Sequence, residues 1–185
     1  MANKSIITIV GRISSGKGTA AEYLCEKYGA RMFTFSNILR SVIQRLNLEE
    51  TRDNFIKMSE TLRSTFGEDL LSKIIAEDAR SAQEDMVVID GSRRLTDIAH
   101  LQELPGFVLV AIEADLKVRY ERLRQRNVKT DDQTKTYEEF LADEQRSTEV
   151  SIDEIIGKAT YTIDNNGDFT SLHTQLDDLI RSLRG

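Results

Sequence analysis

The chain has 185 residues, a length that suits one domain with a sizeable core, and its 39% apolar and 30% charged residues exclude a disordered polymer. A balance of 25 Lys and Arg against 31 Asp and Glu leaves a net charge of -6. That excludes a surface given over to DNA or an anionic membrane and leaves room only for a local basic cleft. One cysteine, Cys25, excludes a disulfide framework and a cysteine-based zinc site, and it suits a reducing compartment.

Taken in chain order, short apolar runs alternate with longer helical patterns. Ser5 to Val10 reads as a buried strand and runs into a glycine-rich turn. It is too short for a signal peptide or a membrane span, and no other stretch approaches about 18 apolar residues. The expected address is therefore the cytoplasm, with no membrane or DNA partner. A helix over Thr19 to Tyr28 follows, then a strand over Arg31 to Phe35 and a helix over Ser36 to Asn47. Arg52 to Ser81 reads as one or two helices. Strands are expected at Asp85 to Asp90, Phe107 to Ala114 and Tyr161 to Asp164. Helices are expected over Leu116 to Arg126, over Tyr137 to Arg146 and from Ser171 onward. Strands apolar on both faces that alternate with helices predict an α/β fold: a five-stranded parallel sheet with helices on both sides. Such sheets bind ligands at the carboxyl ends of their strands.

The most specific signal is Gly11-Arg12-Ile13-Ser14-Ser15-Gly16-Lys17-Gly18-Thr19, between a strand and a helix. This is the G-x-x-x-x-G-K pattern of a phosphate loop. Its glycines let the backbone form a nest of inward N–H groups, and the following helix adds its positive end. Lys17 supplies a mobile cation for the β- and γ-phosphates of ATP. Gly18 stands where a hydroxyl ligand for magnesium is usual, and Thr19 comes one residue later. The run GKGT resembles the phosphate loop of adenylate kinase and other nucleoside monophosphate kinases, where magnesium is held largely through water. The resemblance extends to dephospho-CoA-kinase-like archaeal relatives and implies a P-loop NTPase fold with a short helical lid.

Asp85 to Arg94 (DMVVIDGSRR) is the second constellation. A strand-ending carboxylate, Asp90, suits a magnesium water shell, and guanidinium groups bind phosphate oxygens in pairs. The segment resembles the monophosphate kinases' D-G-x-x-R, whose arginine grips the acceptor phosphate; Arg93 and Arg94 both remain candidates. No glutamate follows Asp90, which favours transfer to an acceptor over hydrolysis. Ser36 and Arg40 resemble that family's acceptor segment, with Asn37 where the family has Asp. On a plainer reading Ser36 caps a helix and Arg40 is a surface charge. Arg63 lies where acceptor-binding helices lie.

Leu116, Tyr120 and Leu123 form a core stripe on the next helix, beside Arg119, Arg122 and Arg126. Lys117 to Lys129 carries six basic residues and one acidic residue. In the related kinases the segment opens the lid, here 127–147, with Asp131, Asp132 and Arg146 resembling lid residues. Residues 36–81 would form an acceptor-binding helical insertion in the one kinase domain. Ala159 to Gly167 resembles the strand and loop beside the adenine ring, with Asn166 as the contact. His100 and His173 read as structural residues without partners.

The resemblance therefore implies catalysis by Lys17, Asp90, Arg122 and Arg126. It implies an ATP site at Gly11, Ser14, Ser15, Gly16, Lys17, Gly18, Thr19 and Asn166. The acceptor site is expected at Ser36, Arg40, Arg63, Arg93 and Arg94, and magnesium at Asp90, through water, and at Thr19. The expected reaction carries the ATP γ-phosphate to a nucleoside monophosphate. The alternatives are transfer to a hydroxyl, as in dephospho-CoA kinase, or a nucleotide switch that binds protein or RNA.

Overall fold

A computed structural model describes residues 4–125, 135–144 and 147–184. Five strands form one all-parallel sheet in the order β2-β3-β1-β4-β5. They are β1 (Ser5–Val10), β2 (Arg31–Thr34), β3 (Met86–Asp90), β4 (Phe107–Glu113) and β5 (Tyr161–Asp164). Because the strands run the same way, all five carboxyl ends meet at one edge.

The central strands are apolar on both sides because both sides are covered. Ile6 and Val10 of β1 pack into one core layer with Phe35, Leu39, Leu71 and Ile75. Ile7 and Ile9 enter the other with Ala20, Leu24, Leu172 and Leu176. The first layer is roofed by α2 (Phe35–Arg45), α3 (Arg52–Phe66), α4 (Leu70–Ser81), α5 (Leu95–Ile98) and, beyond α6 (Leu116–Gln125) and α7 (Tyr137–Glu144), by α8 (Ser147–Ile156). The second is roofed by α1 (Lys17–Tyr28) and α9 (Phe169–Arg184).

The expected strands and helices fall at these places, with informative differences. The Arg52 to Ser81 run is two helices, because the chain turns at Gly67. Helix α2 is capped by Thr34, whose hydroxyl accepts from the Asn37 N–H at 3.2 Å, and Ser36 is not the cap. Helix α8 had no counterpart in the sequence reading; its apolar signal is carried by residues such as Ile152 and Ile155, both buried. Both histidines have partners: His100 Nε2 lies 2.7 Å from Asp69 Oδ2, and His173 stacks on Tyr23 at 3.8 Å. No helix among the described residues is long and apolar enough to cross a membrane.

Candidate active site

The loop between β1 and α1 is shaped by residues that tolerate left-handed backbone. Gly11 has φ 154° and Gly16 has φ 102°. A Cβ on Gly11 would strike the Ile112 carbonyl, and one on Gly16 would strike the Asn165 amide, so close approach also demands glycine at both. Ser14 adopts φ 59° without being glycine. At Gly18 a Cβ would meet nothing within 4 Å.

Strand register sets what faces this loop. Ile9 of β1 pairs with Asp90 of β3, which brings that carboxylate beside the start of the loop. A cavity of about 770 Å³ opens there. Its wall includes Ser14, Gly16, Lys17, Gly18, Thr19 and Asp90, and across from them Arg122, Asn165 and Phe169. Lys17 Nζ donates to the Arg12 carbonyl at 2.9 Å, folded back along the loop. Asp90 Oδ1 and the hydroxyls of Ser14 and Ser15 are buried without a hydrogen-bond partner among the described residues. Of these, Ser14 and Asp90 lie on the cavity wall, and orphaned polar atoms there call for a ligand.

Arg122 spans the far side, its Nη1 donating to the Asn165 carbonyl at 2.8 Å and its Nη2 to the Gly167 carbonyl at 3.1 Å. Asn165, missed from sequence, is buried and donates through Nδ2 to the Ser15 carbonyl at 2.7 Å. Asn166, expected at the nucleotide, instead closes its own turn: its Oδ1 accepts from the Asp115 N–H at 2.7 Å and its Nδ2 donates to Asp164. The Asn-Asn-Gly run signalled the turn, and only the packing decides which asparagine faces inward.

The acceptor-side arginines do not border this cavity. Arg40 pairs with Glu50 at 2.9 Å and with Asn37 at 2.5 Å on the surface. Arg63, expected at an acceptor, is buried and bonds Asp97 at 2.6 Å and the Glu68 carbonyl at 2.5 Å. The same Asp97 carboxylate accepts the backbone N–H groups of Arg93 and Arg94, at 2.7 and 3.0 Å. Arg63 thus braces the loop after Asp90 from inside the protein, a role no local pattern announces. The exposed side chain of Arg94 reaches Glu68 at 3.2 Å. Arg126, Asp131, Asp132 and Arg146 lie outside the described residues.

A parallel sheet, a lysine-bearing loop after β1 and a strand-ending carboxylate beside it define a P-loop protein of the kinase-like kind. Residues 10–140 match the family described as an AAA domain, and the chain belongs to that family. It is 29% identical over 182 residues to a UPF0200/UPF0201 protein of Archaeoglobus fulgidus, covering 96% of this chain and 55% of that protein. This chain thus spans just over half the length of that relative. A UPF0200 protein of Sulfurisphaera tokodaii is 28% identical, over 96% of this chain and 97% of its own. Two crystal structures share the fold. TT1252 from Thermus thermophilus has a TM-score of 0.67 at 18% identity, over 99% of this chain and 100% of its own. Shikimate kinase from Bacteroides thetaiotaomicron has 0.64 at 16%, over 97% and 98%.

Proposed function

We propose that the protein is an ATP-dependent phosphotransferase that passes the γ-phosphate to a nucleoside monophosphate. The observation that carries this reading is the cavity wall, where Gly16, Lys17, Thr19, Asp90 and Arg122 converge. Backbone N–H groups of the nest and the N-terminus of α1 bind the phosphates of ATP. Lys17, released from the Arg12 carbonyl, holds the β- and γ-phosphates. An acceptor oxygen attacks the γ-phosphorus, the bond to the β-bridging oxygen breaks, and ADP leaves with the electron pair.

The donor set suits magnesium. Asp90 presents an oxygen without a partner among the described residues, and Thr19 lies on the same wall. Magnesium characteristically takes one or two carboxylates plus substrate phosphates and water, and it would neutralise charge between the phosphates here. Asp90 through water, and Thr19, would hold it.

On the acceptor side, Arg40 is suited to a phosphate and Arg63 is not. The Arg40–Glu50 pair is exposed, with side chains 39% and 42% accessible, and trading it for another anion costs little. The Arg63–Asp97 pair is buried at 7% and 4%, and breaking it strands a charge. Exposed Arg93 and Arg94, at the loop after Asp90, complete the acceptor side with Ser36. The chain has Ser36-Asn37 after β2 where hydroxyl chemistry would want a carboxylate.

One observation favours a second reading. The orphaned Asp90 oxygen is itself a base able to take a proton from a hydroxyl acceptor. The test is ADP release from ATP and magnesium across nucleoside monophosphates, dephospho-CoA and no acceptor. Turnover that requires a monophosphate is the expected result. Phosphorylation of dephospho-CoA alone selects the hydroxyl reading, and rapid acceptor-independent hydrolysis selects a nucleotide-driven switch.

A further inference from the structure

Four charges close on one another behind the phosphate loop, and none of them lies on the cavity wall. Arg119 of α6, 4% exposed, holds Glu144 of α7 with both terminal nitrogens, at 2.9 and 2.6 Å. Glu144 also accepts from Arg12 in the phosphate loop at 3.1 Å, and Arg12 reaches Asp153 of α8 at 2.5 Å. Two guanidinium groups thus meet two carboxylates, each arginine bonded to Glu144.

Arg119 does more than pair. Its Nη1 donates to the Ile13 carbonyl at 3.2 Å and its Nε to the Ala114 carbonyl at 3.1 Å. In a trans peptide the carbonyl and the following N–H point in opposite directions. Holding the Ile13 carbonyl towards Arg119 therefore turns the Ser14 N–H away from it, and Ser14 is on the cavity wall. The orientation of that phosphate-binding donor depends on an arginine whose own charge is balanced by Glu144.

We propose that Glu144 is a positioning residue for nucleotide binding: through Arg119 and Arg12 it couples the docking of α7 to the binding shape of the phosphate loop. The inference rests on the nucleotide reading of the cavity. Without Glu144, Arg119 is a buried cation with no counter-charge and is driven to seek water, which frees the Ile13 carbonyl. Linkage is reciprocal, so a nucleotide that favours the ordered loop must favour docked α7 by the same factor.

The test pairs ADP affinity with amide exchange in residues 137–144, on full-length protein below its melting transition. Wild type should show slower exchange across α7 when ADP is bound. Glu144→Gln should bind ADP on the order of tenfold more weakly, and ADP should no longer slow α7. Glu144→Asp should recover part of both effects. Arg12→Gln keeps the two-pronged Arg119–Glu144 contact, so it secures the fold while removing one link, and it should weaken ADP by a smaller factor. A folded Glu144→Gln protein with wild-type ADP affinity overturns the proposal, as does wild-type α7 exchange indifferent to ADP. If Glu144→Gln does not fold, wild-type affinity in Arg12→Gln overturns it. A wild type that binds no ADP removes the nucleotide reading and this inference with it. ADP binding without an α7 response removes this inference alone.

Discussion

Lys17 and the glycines beside it divide the site's chemistry from its shape. Lys17 lies on the cavity wall and donates to the Arg12 carbonyl of its own loop, outside both core layers, so Lys17→Met should leave circular dichroism unchanged. Turnover in the same sample should fall at least about a hundredfold, because in the proposed reaction the ammonium stabilises charge that develops between phosphates. Activity within a few-fold of wild type in a folded variant would remove the central assignment. Gly16→Ala and Gly18→Ala should move thermal stability in opposite directions. At Gly16 an L side chain has φ 102° to adopt and the Asn165 amide to displace, a loss of about 1–2 kcal/mol or more. Gly18 is in α1 with open space at its Cβ, so alanine there should gain about 0.5–1 kcal/mol by helix propensity. Two equal melting shifts would contradict this account of the loop. The G-x-x-x-x-G-K spacing makes these residues legible in the sequence alone, since local backbone requirements are written locally. Asn165, Glu144 and Asp97 were not legible, because each meets a partner remote in the sequence through packing: Ser15 for Asn165, Arg119 and Arg12 for Glu144, and Arg63 for Asp97.

Among the elements, α1 and α9 are joined by a polar clasp over their shared apolar seam. Asp177 accepts from Tyr28 at 2.6 Å, Lys27 at 2.7 Å and Tyr23 at 2.8 Å. The hydrogen bond from Lys27, followed by that from Tyr28, draws the Asp177 carboxyl down from 3.8 to about 2. Its folded-state pKa is depressed, so its stabilising contribution is full above the unfolded value and is lost as pH falls from about 4 through about 2. Asp69, drawn down to about 2 chiefly by His100, titrates in the same window. Asp177→Asn should therefore melt lower than wild type at pH 6, and the gap should narrow as pH falls towards 2. A gap independent of pH across that range would show that the clasp works through packing alone. The α9 seam was readable from Leu172, Leu176, Leu179 and Ile180 at helical spacing, whereas the described side chains of α8 bring Ile152 and Ile155 into the core with Ile156 at its edge. Periodicity reports an element in proportion to the surface it buries.

At the scale of the whole molecule, parallel strands deliver Lys17 and Asp90 to one edge, and Asp90 is the residue on which the two acceptor chemistries divide. Its partnerless oxygen has two possible uses: to hold the water shell of magnesium, or to take the proton of a hydroxyl acceptor. A monophosphate acceptor is already anionic near neutral pH and needs no protein base. Asp90→Asn keeps the shape of the side chain while removing its charge and its basicity. If the carboxylate serves magnesium, the variant should lose activity on the order of 10- to 100-fold, and raising magnesium at fixed pH should recover part of it, since weaker ion binding is offset by concentration. If the carboxylate serves as base, no magnesium concentration restores turnover, because the missing proton acceptor is not replaced by the ion. The measurement is turnover against magnesium for wild type and Asp90→Asn, with the acceptor that the substrate panel identifies. Partial rescue with a monophosphate is the expected outcome. A flat magnesium response, together with phosphorylation of dephospho-CoA and inert monophosphates, would overturn the monophosphate assignment and make Asp90 the general base.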